Sequence, residues 1–112
     1  MSRFEFETAV RGAVALVTLR GELDLLATVD LEPELERLEC EPAVEVVALD
    51  LRGLEFLDSS GLRAILLFRN LLSESDRRLV LVRGPQPVMR VFEITRMTER
   101  LEFVDAPEHV HT

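Results

Sequence analysis

Apolar and acidic positions alternate in the opening stretch, Phe4 and Phe6 against Glu5 and Glu7, and a similar alternation continues to Val10. A period of two predicts a strand with one solvated face. Arg11 and Gly12 read as a tight turn. Residues 13–20 then carry apolar side chains on both parities, Val14 and Leu16 as well as Ala15, Val17 and Leu19. That pattern suits a strand inside a sheet, hairpinned to the first. Gly21-Glu22-Leu23-Asp24 is predicted to leave the sheet. Beyond it the period becomes helical: Asp30 is placed to cap, Pro33 falls in a first turn where a missing amide hydrogen costs little, and Leu31, Leu35 and Leu38 share a face up to Glu41-Pro42.

Residues 44–49 are rich in β-branched side chains and almost free of polar ones, the pattern of a central strand buried on both faces of a helix-covered sheet. The following loop delivers Asp58, Ser59, Ser60 and Gly61 to a helix whose residues 62–72 are polar only at Arg63, Arg69 and Asn70. After the polar break at 73–76 come an apolar strand at 78–82 and the loop Gly84-Pro85-Gln86-Pro87. The last proline suits the first position of a helix running to about Thr95, with Val88, Val91 and Phe92 turned inward. A short strand at 101–104 and an aperiodic tail at 106–112 complete the chain. Strands that alternate with helices imply parallel crossovers, hence a single α/β domain over 1–105 followed by a flexible tail.

Composition narrows the classes. With 47% hydrophobic residues in 112 the chain can build a core, yet its longest apolar run, 64–68, is far too short for a membrane span. The lone Cys40 cannot form an internal disulfide and the amino end has no apolar signal core, so a reducing cytoplasm is the expected location. A net charge of -8 repels a phosphate backbone, which argues against nucleic acid as a partner, and it disfavours self-association, so a monomer is expected.

The chemistry concentrates at Asp58-Ser59-Ser60. These side chains can accept hydrogen bonds from the free amides of a first helical turn, a place that also favours negative charge. On residue chemistry alone the serines are either caps or a functional group, Gly61 marks either close packing on the strand or close approach of a partner, and Asp24 is either a cap or a loop acid. Along the helix, Arg63 and Asn70 define a polar line bordered by Leu66 and Leu67, a narrow wet face that suggests Leu67 as a contact. No serine hydrolase fits: both histidines, His109 and His111, lie at the carboxyl end, and there is no Gly-x-Ser-x-Gly elbow. No Gly-rich phosphate loop with lysine is present, and two tail histidines without a third ligand make no metal site, so neither cofactor nor metal is expected.

Gly21-Glu22-Leu23-Asp24 after the second strand, the stretch Leu49-Asp50-Leu51 to Phe56-Leu57-Asp58-Ser59-Ser60-Gly61-Leu62, the Pro87-Val88 helix start and the order of elements resemble the STAS family. The likeness is greatest to the free-standing anti-sigma factor antagonists. It implies a mixed sheet with its first strand antiparallel at an edge, packed with helices, and a binding module without catalysis. It further implies phosphorylation at Ser59 by a serine kinase that is itself the anti-sigma factor, reversal by a serine phosphatase, and a partner interface comprising Asp24, Asp58, Ser59, Ser60, Gly61, Leu62, Arg63 and Leu67. The other role open to the family is an unphosphorylated accessory of a membrane transporter or another signalling complex. Where the family often has glycine after the third helix this chain has Arg96, which would have to hold a left-handed cap.

Overall fold

The computed structural model describes residues 3–112. Strands and helices alternate: β1 (Glu5–Arg11), β2 (Val14–Leu23), α1 (Leu25–Glu39), β3 (Val46–Leu57), α2 (Ser59–Glu74), β4 (Arg78–Val82), α3 (Gln86–Ile94) and β5 (Glu102–Val104), with 3-10 turns at Met97–Glu99 and Pro107–His109. One sheet has the order β1-β2-β3-β4-β5, with β1 antiparallel to β2 at an edge and the remaining pairs parallel. The expected α/β architecture is thus present, with β3 at its centre.

Each crossover steps one place in the same direction. Right-handed crossovers that never reverse lay every helix on the same face of a sheet. The buried side chains of α1, α2 and α3 accordingly join one cluster with Ala15, Val17, Val47, Leu49, Leu79 and Leu81. This corrects the expectation of helices on both sides of β3. On the opposite face Val46, Ala48, Val80 and Val82 are also buried, but no α-helix covers them, only the carboxyl-terminal segment with its short 3-10 turn. Pro107, Glu108 and Val110 line a groove with Val14, Leu16 and Ala48, and Arg78 donates to the His111 carbonyl at 2.8 Å. Asp50, buried on β3, accepts from the Arg52 amide at 3.1 Å and from the Arg52 guanidinium at 2.9 to 3.2 Å, so its charge is not left uncompensated.

Three elements have boundaries that differ from expectation. β2 does not end at Arg20, because Gly21, Glu22 and Leu23 stay in the sheet opposite Leu54, Phe56 and Leu57. β3 begins at Val46 and runs on past Leu49 to Leu57; its second half is hidden in the sequence by Asp50, which is buried against Arg52, and by Arg52, Gly53 and Glu55, which a strand tolerates where one face meets solvent. α1 is capped by Asp24 and not by Asp30, which lies exposed within the helix. Pro33 therefore sits in the helix interior, on an exposed position where water can serve the carbonyl that loses its amide partner. Leu31, Leu35 and Leu38 do face the core, joined by Ala27 and Thr28.

Smaller shifts follow the same logic. Pro87 occupies the second position of α3, after Gln86, and Met89 is buried beside Val88 and Phe92 while Val91 is only half-buried. β5 starts at Glu102, although Leu101 is buried. Arg96 has φ 61 and ψ 23, the left-handed conformation expected of it. α1 is tied to β1 by Thr8, whose hydroxyl donates to Glu34 at 2.5 Å. Arg37 donates twice to the same carboxylate, at 2.7 and 2.8 Å. The Arg37 hydrogen bonds, aided by the one from Thr8, hold the Glu34 carboxyl below the usual carboxylate range against the opposing effect of burial.

Candidate functional site

At one end of the sheet β2 and β3 finish side by side, Leu23 opposite Leu57. Each is followed by an aspartate in extended backbone, Asp24 at φ -106 and ψ -170 and Asp58 at φ -105 and ψ -175. The two then do the same thing. Asp24 Oδ1 accepts from the Ala27 amide at 2.9 Å, and Asp58 Oδ1 accepts from the Gly61 amide at 3.0 Å. Their carbonyls accept the first intrahelical bonds, from Thr28 and Leu62, both at 3.0 Å. A bond from the Asp58 amide to the Leu23 carbonyl, 3.4 Å, links one junction to the other. Each aspartate cap stabilises its helix by about 0.5–2 kcal/mol. The result is two neighbouring helix starts whose positive dipole ends emerge at the same edge of the molecule.

Ser59 is the first residue of α2. It is exposed, and among the described residues no hydrogen bond to its hydroxyl is present. The cap is Asp58, so neither serine is consumed in capping. The amides of Ser59 and Ser60 belong to the first turn and have no acceptor within the helix. Ser60 and Asp24 are half-buried, and Arg63, one turn after Ser59, is exposed.

Of the residues singled out in the sequence, the fold gathers Asp24, Asp58, Ser59, Ser60 and Arg63 at this edge. Gly61 and Leu62 are buried and so form its underside. A Cβ on Gly61 would lie 2.6 Å from the Leu23 carbonyl oxygen, so close packing of helix on strand accounts for the glycine. Leu67 is exposed but stands two turns further along α2, roughly 12 Å from Ser59 at the helical rise.

Sequence reasoning missed the apolar surroundings of the serine. Leu25, Leu26 and Val29 on the first turns of α1 are 62%, 77% and 58% exposed, and Phe56, two residues before the Asp58 cap, is 45% exposed. Leu25 holds in the first junction the position Ser59 holds in the second. The signal was present: a helix started at Asp24 places Leu25, Leu26 and Val29 away from the inward line of Ala27, Leu31, Leu35 and Leu38.

Solved structures share this architecture. An anti-sigma factor antagonist from Mycobacterium paratuberculosis superposes with a TM-score of 0.86 at 18% identity, over 95% of this chain and 89% of that one. The anti-sigma factor antagonist SpoIIAA in its unphosphorylated form gives 0.78 at 24% identity, over 95% and 91%. The Bacillus cell fate determinant SpoIIAA in its phosphorylated form gives 0.71 at 26%, over 95% of each chain. No curated protein matches the sequence. The STAS domain model matches residues 5–109, almost the full length, and the chain belongs to the STAS family.

Proposed function

We propose that this chain is an anti-sigma factor antagonist: unphosphorylated, it binds an anti-sigma factor and frees a sigma factor, and phosphorylation of Ser59 ends that binding. The reading is carried by the exposed, unbonded Ser59 hydroxyl at the start of α2. The partner interface comprises Asp24, Asp58, Ser59, Ser60 and Arg63, seated on Gly61 and Leu62, with Leu25, Leu26, Val29 and Phe56 as its apolar ground. The anti-sigma factor is the serine kinase, a serine phosphatase restores the hydroxyl, and the site of action is the cytoplasm. The antagonist works as a monomer, without catalysis or a cofactor of its own and without touching nucleic acid. No helix among the described residues is long and apolar enough to cross a membrane, so a membrane-embedded role gains no support from these elements.

A phosphate on Ser59 would bring about -1.5 to -2 charges and three acceptor oxygens. The free amides and dipole of α2 stabilise an anion there by roughly 0.3–1 kcal/mol, and Arg63 lies at i+4 on the same helix face. The fold therefore tolerates the group. The interface does not, because a dianion among half-buried aspartates and exposed leucines must be desolvated and faces whatever acids the partner presents. Such juxtapositions cost several kcal/mol, on the order of a thousandfold in affinity.

Calorimetric titration of the bare protein, the phosphoprotein, Ser59→Asp and Ser59→Ala against the cognate anti-sigma factor tests this. The expected order is tight binding by the bare protein and Ser59→Ala, and loss of about a thousandfold for the phosphoprotein, with Ser59→Asp reproducing much of it. Equal affinities for bare and phosphorylated protein would refute the switch. Phosphate located on Ser60 after incubation with kinase and ATP would refute the assignment.

A further inference from the structure

We propose that the groove between α1 and α2 docks a basic amphipathic helix of a partner protein, separately from the switch at Ser59. The groove has a volume of about 190 Å³. Its floor on the α2 side is Ala64, Leu67 and Leu71; Leu67 and Leu71 are 53% and 45% exposed, at i and i+4 on one stripe. Ala64, the smallest side chain of that wall, leaves the seam between the helices open.

The opposite wall is acidic. Glu32, Glu36 and Glu39 follow one another along α1 at intervals of four and three residues and all border the groove. Among the described residues none of the three pairs with a cation, and the Glu39 carboxylate meets only the Cys40 thiol, at 3.4 Å. An apolar trough with carboxylates at helical intervals along one side is complementary to a helix whose own apolar stripe is edged by Lys or Arg at the same spacing.

Charge also decides against other occupants. A second copy of the chain would bring another net charge of -8, and the exposed leucines at the start of α1 are followed by Asp30 and Glu32. A phosphate backbone is repelled for the same reason. The groove begins at Ala64, roughly 8 Å along α2 from Ser59, and its exposed leucines, Leu67 and Leu71, lie roughly 12–18 Å away, beyond the Debye length of about 8 Å at physiological salt. A partner held there stays bound whether or not the serine is charged, so the domain can be anchored at one surface while it switches at another. Leu67 thereby moves from the switch interface to this one.

The test uses the full chain, isotopically labelled, and a synthetic amphipathic helix of about sixteen residues, long enough to span the groove, with leucines at i, i+4 spacing and lysines along one edge. Binding is read by fluorescence anisotropy and by amide chemical shifts. Shifts are expected to concentrate on residues 32–39 and 64–71. Leu67→Glu and Leu71→Glu should each weaken binding by about tenfold or more. Glu32→Gln with Glu36→Gln should weaken it severalfold and flatten its salt dependence, while Ser59→Asp leaves it within about twofold. Equal binding by a peptide with glutamates in place of the lysines, shifts centred elsewhere, or no saturable binding below about 1 mM would overturn the proposal. The phosphoswitch is read separately, by titrating the Ser59 variants against the anti-sigma factor, so failure of the groove and failure of the switch are told apart.

Discussion

Gly61→Ala sets two known effects against each other where α2 meets the sheet. A methyl group there would stand 2.6 Å from both the Leu23 carbonyl oxygen and Leu57 Cδ1, and 2.9 Å from Leu23 Cγ. Leu57 can rotate away. The Leu23 carbonyl cannot retreat without dragging the end of β2, which is paired there to β3 and receives the Asp58 amide. On helix propensity alone alanine gains at most about 1 kcal/mol over glycine, and less in a first turn. Forcing a methyl into a packed contact costs about 1–3 kcal/mol. The clash wins, and the expected result is a net loss of about 1–2 kcal/mol, a fall in melting temperature of roughly 4–10 °C. Urea and thermal unfolding followed by far-ultraviolet circular dichroism measure it. A variant as stable as the parent would refute the reasoning, since glycine would then be present for some purpose other than the approach of α2 to β2.

Arg96→Gly should stabilise the fold by about 0.5–1 kcal/mol, because Arg96 is held at φ 61 where a side chain is strained; an unchanged urea midpoint would show that the strain is absent. Glu34 gives a pH signature. Its carboxyl is held below the usual range, chiefly by the Arg37 hydrogen bonds, so the folded state binds its proton less readily than the unfolded chain. That stability is complete above the ordinary carboxylate pKa and disappears as pH falls through the depressed folded value. The difference between the parent and Glu34→Gln should therefore be constant near neutrality and shrink in acid, and a gap that widened below pH of about 4 would contradict the geometry.

The elements most legible in the sequence were those whose periodicity is unbroken. The α2 start at Asp58-Ser59-Ser60 and the β4 span follow from local chemistry and were read correctly, whereas the left-handed residue after α3 was implied by the family resemblance. The start of α1 was not read correctly, because two aspartates compete for the cap and Pro33, which suits a first turn, favours the later one. What decides for Asp24 is not local: β2 continues to Leu23 only because β3 continues to Leu57, and each extension is visible only through the other. The same long-range pairing hid the likeness of the two junctions, and with it the exposed leucines beside Ser59. The absence of α-helices from the second face of the sheet was equally out of reach, since it follows from the direction in which successive crossovers step.

That mutual extension of β2 and β3 has a mechanical consequence. β4 accompanies β3 only as far as Asp50, so beyond that point β3 has β2 as its one strand neighbour, and the pairing carries register shifts between Thr18 and Arg20 and between Gly21 and Glu22. The two strands form a narrower extension of the five-stranded slab, with irregular pairing along it, Ser59 just beyond its end, and Leu23, Leu51, Leu54 and Leu57 built into the common core. Irregular pairing of this kind bends a strand and increases its twist. A partner that grips this end therefore holds a mount whose inward side chains belong to the core, so any tilt at the interface must be matched by repacking around Leu23, Leu54 and Leu57.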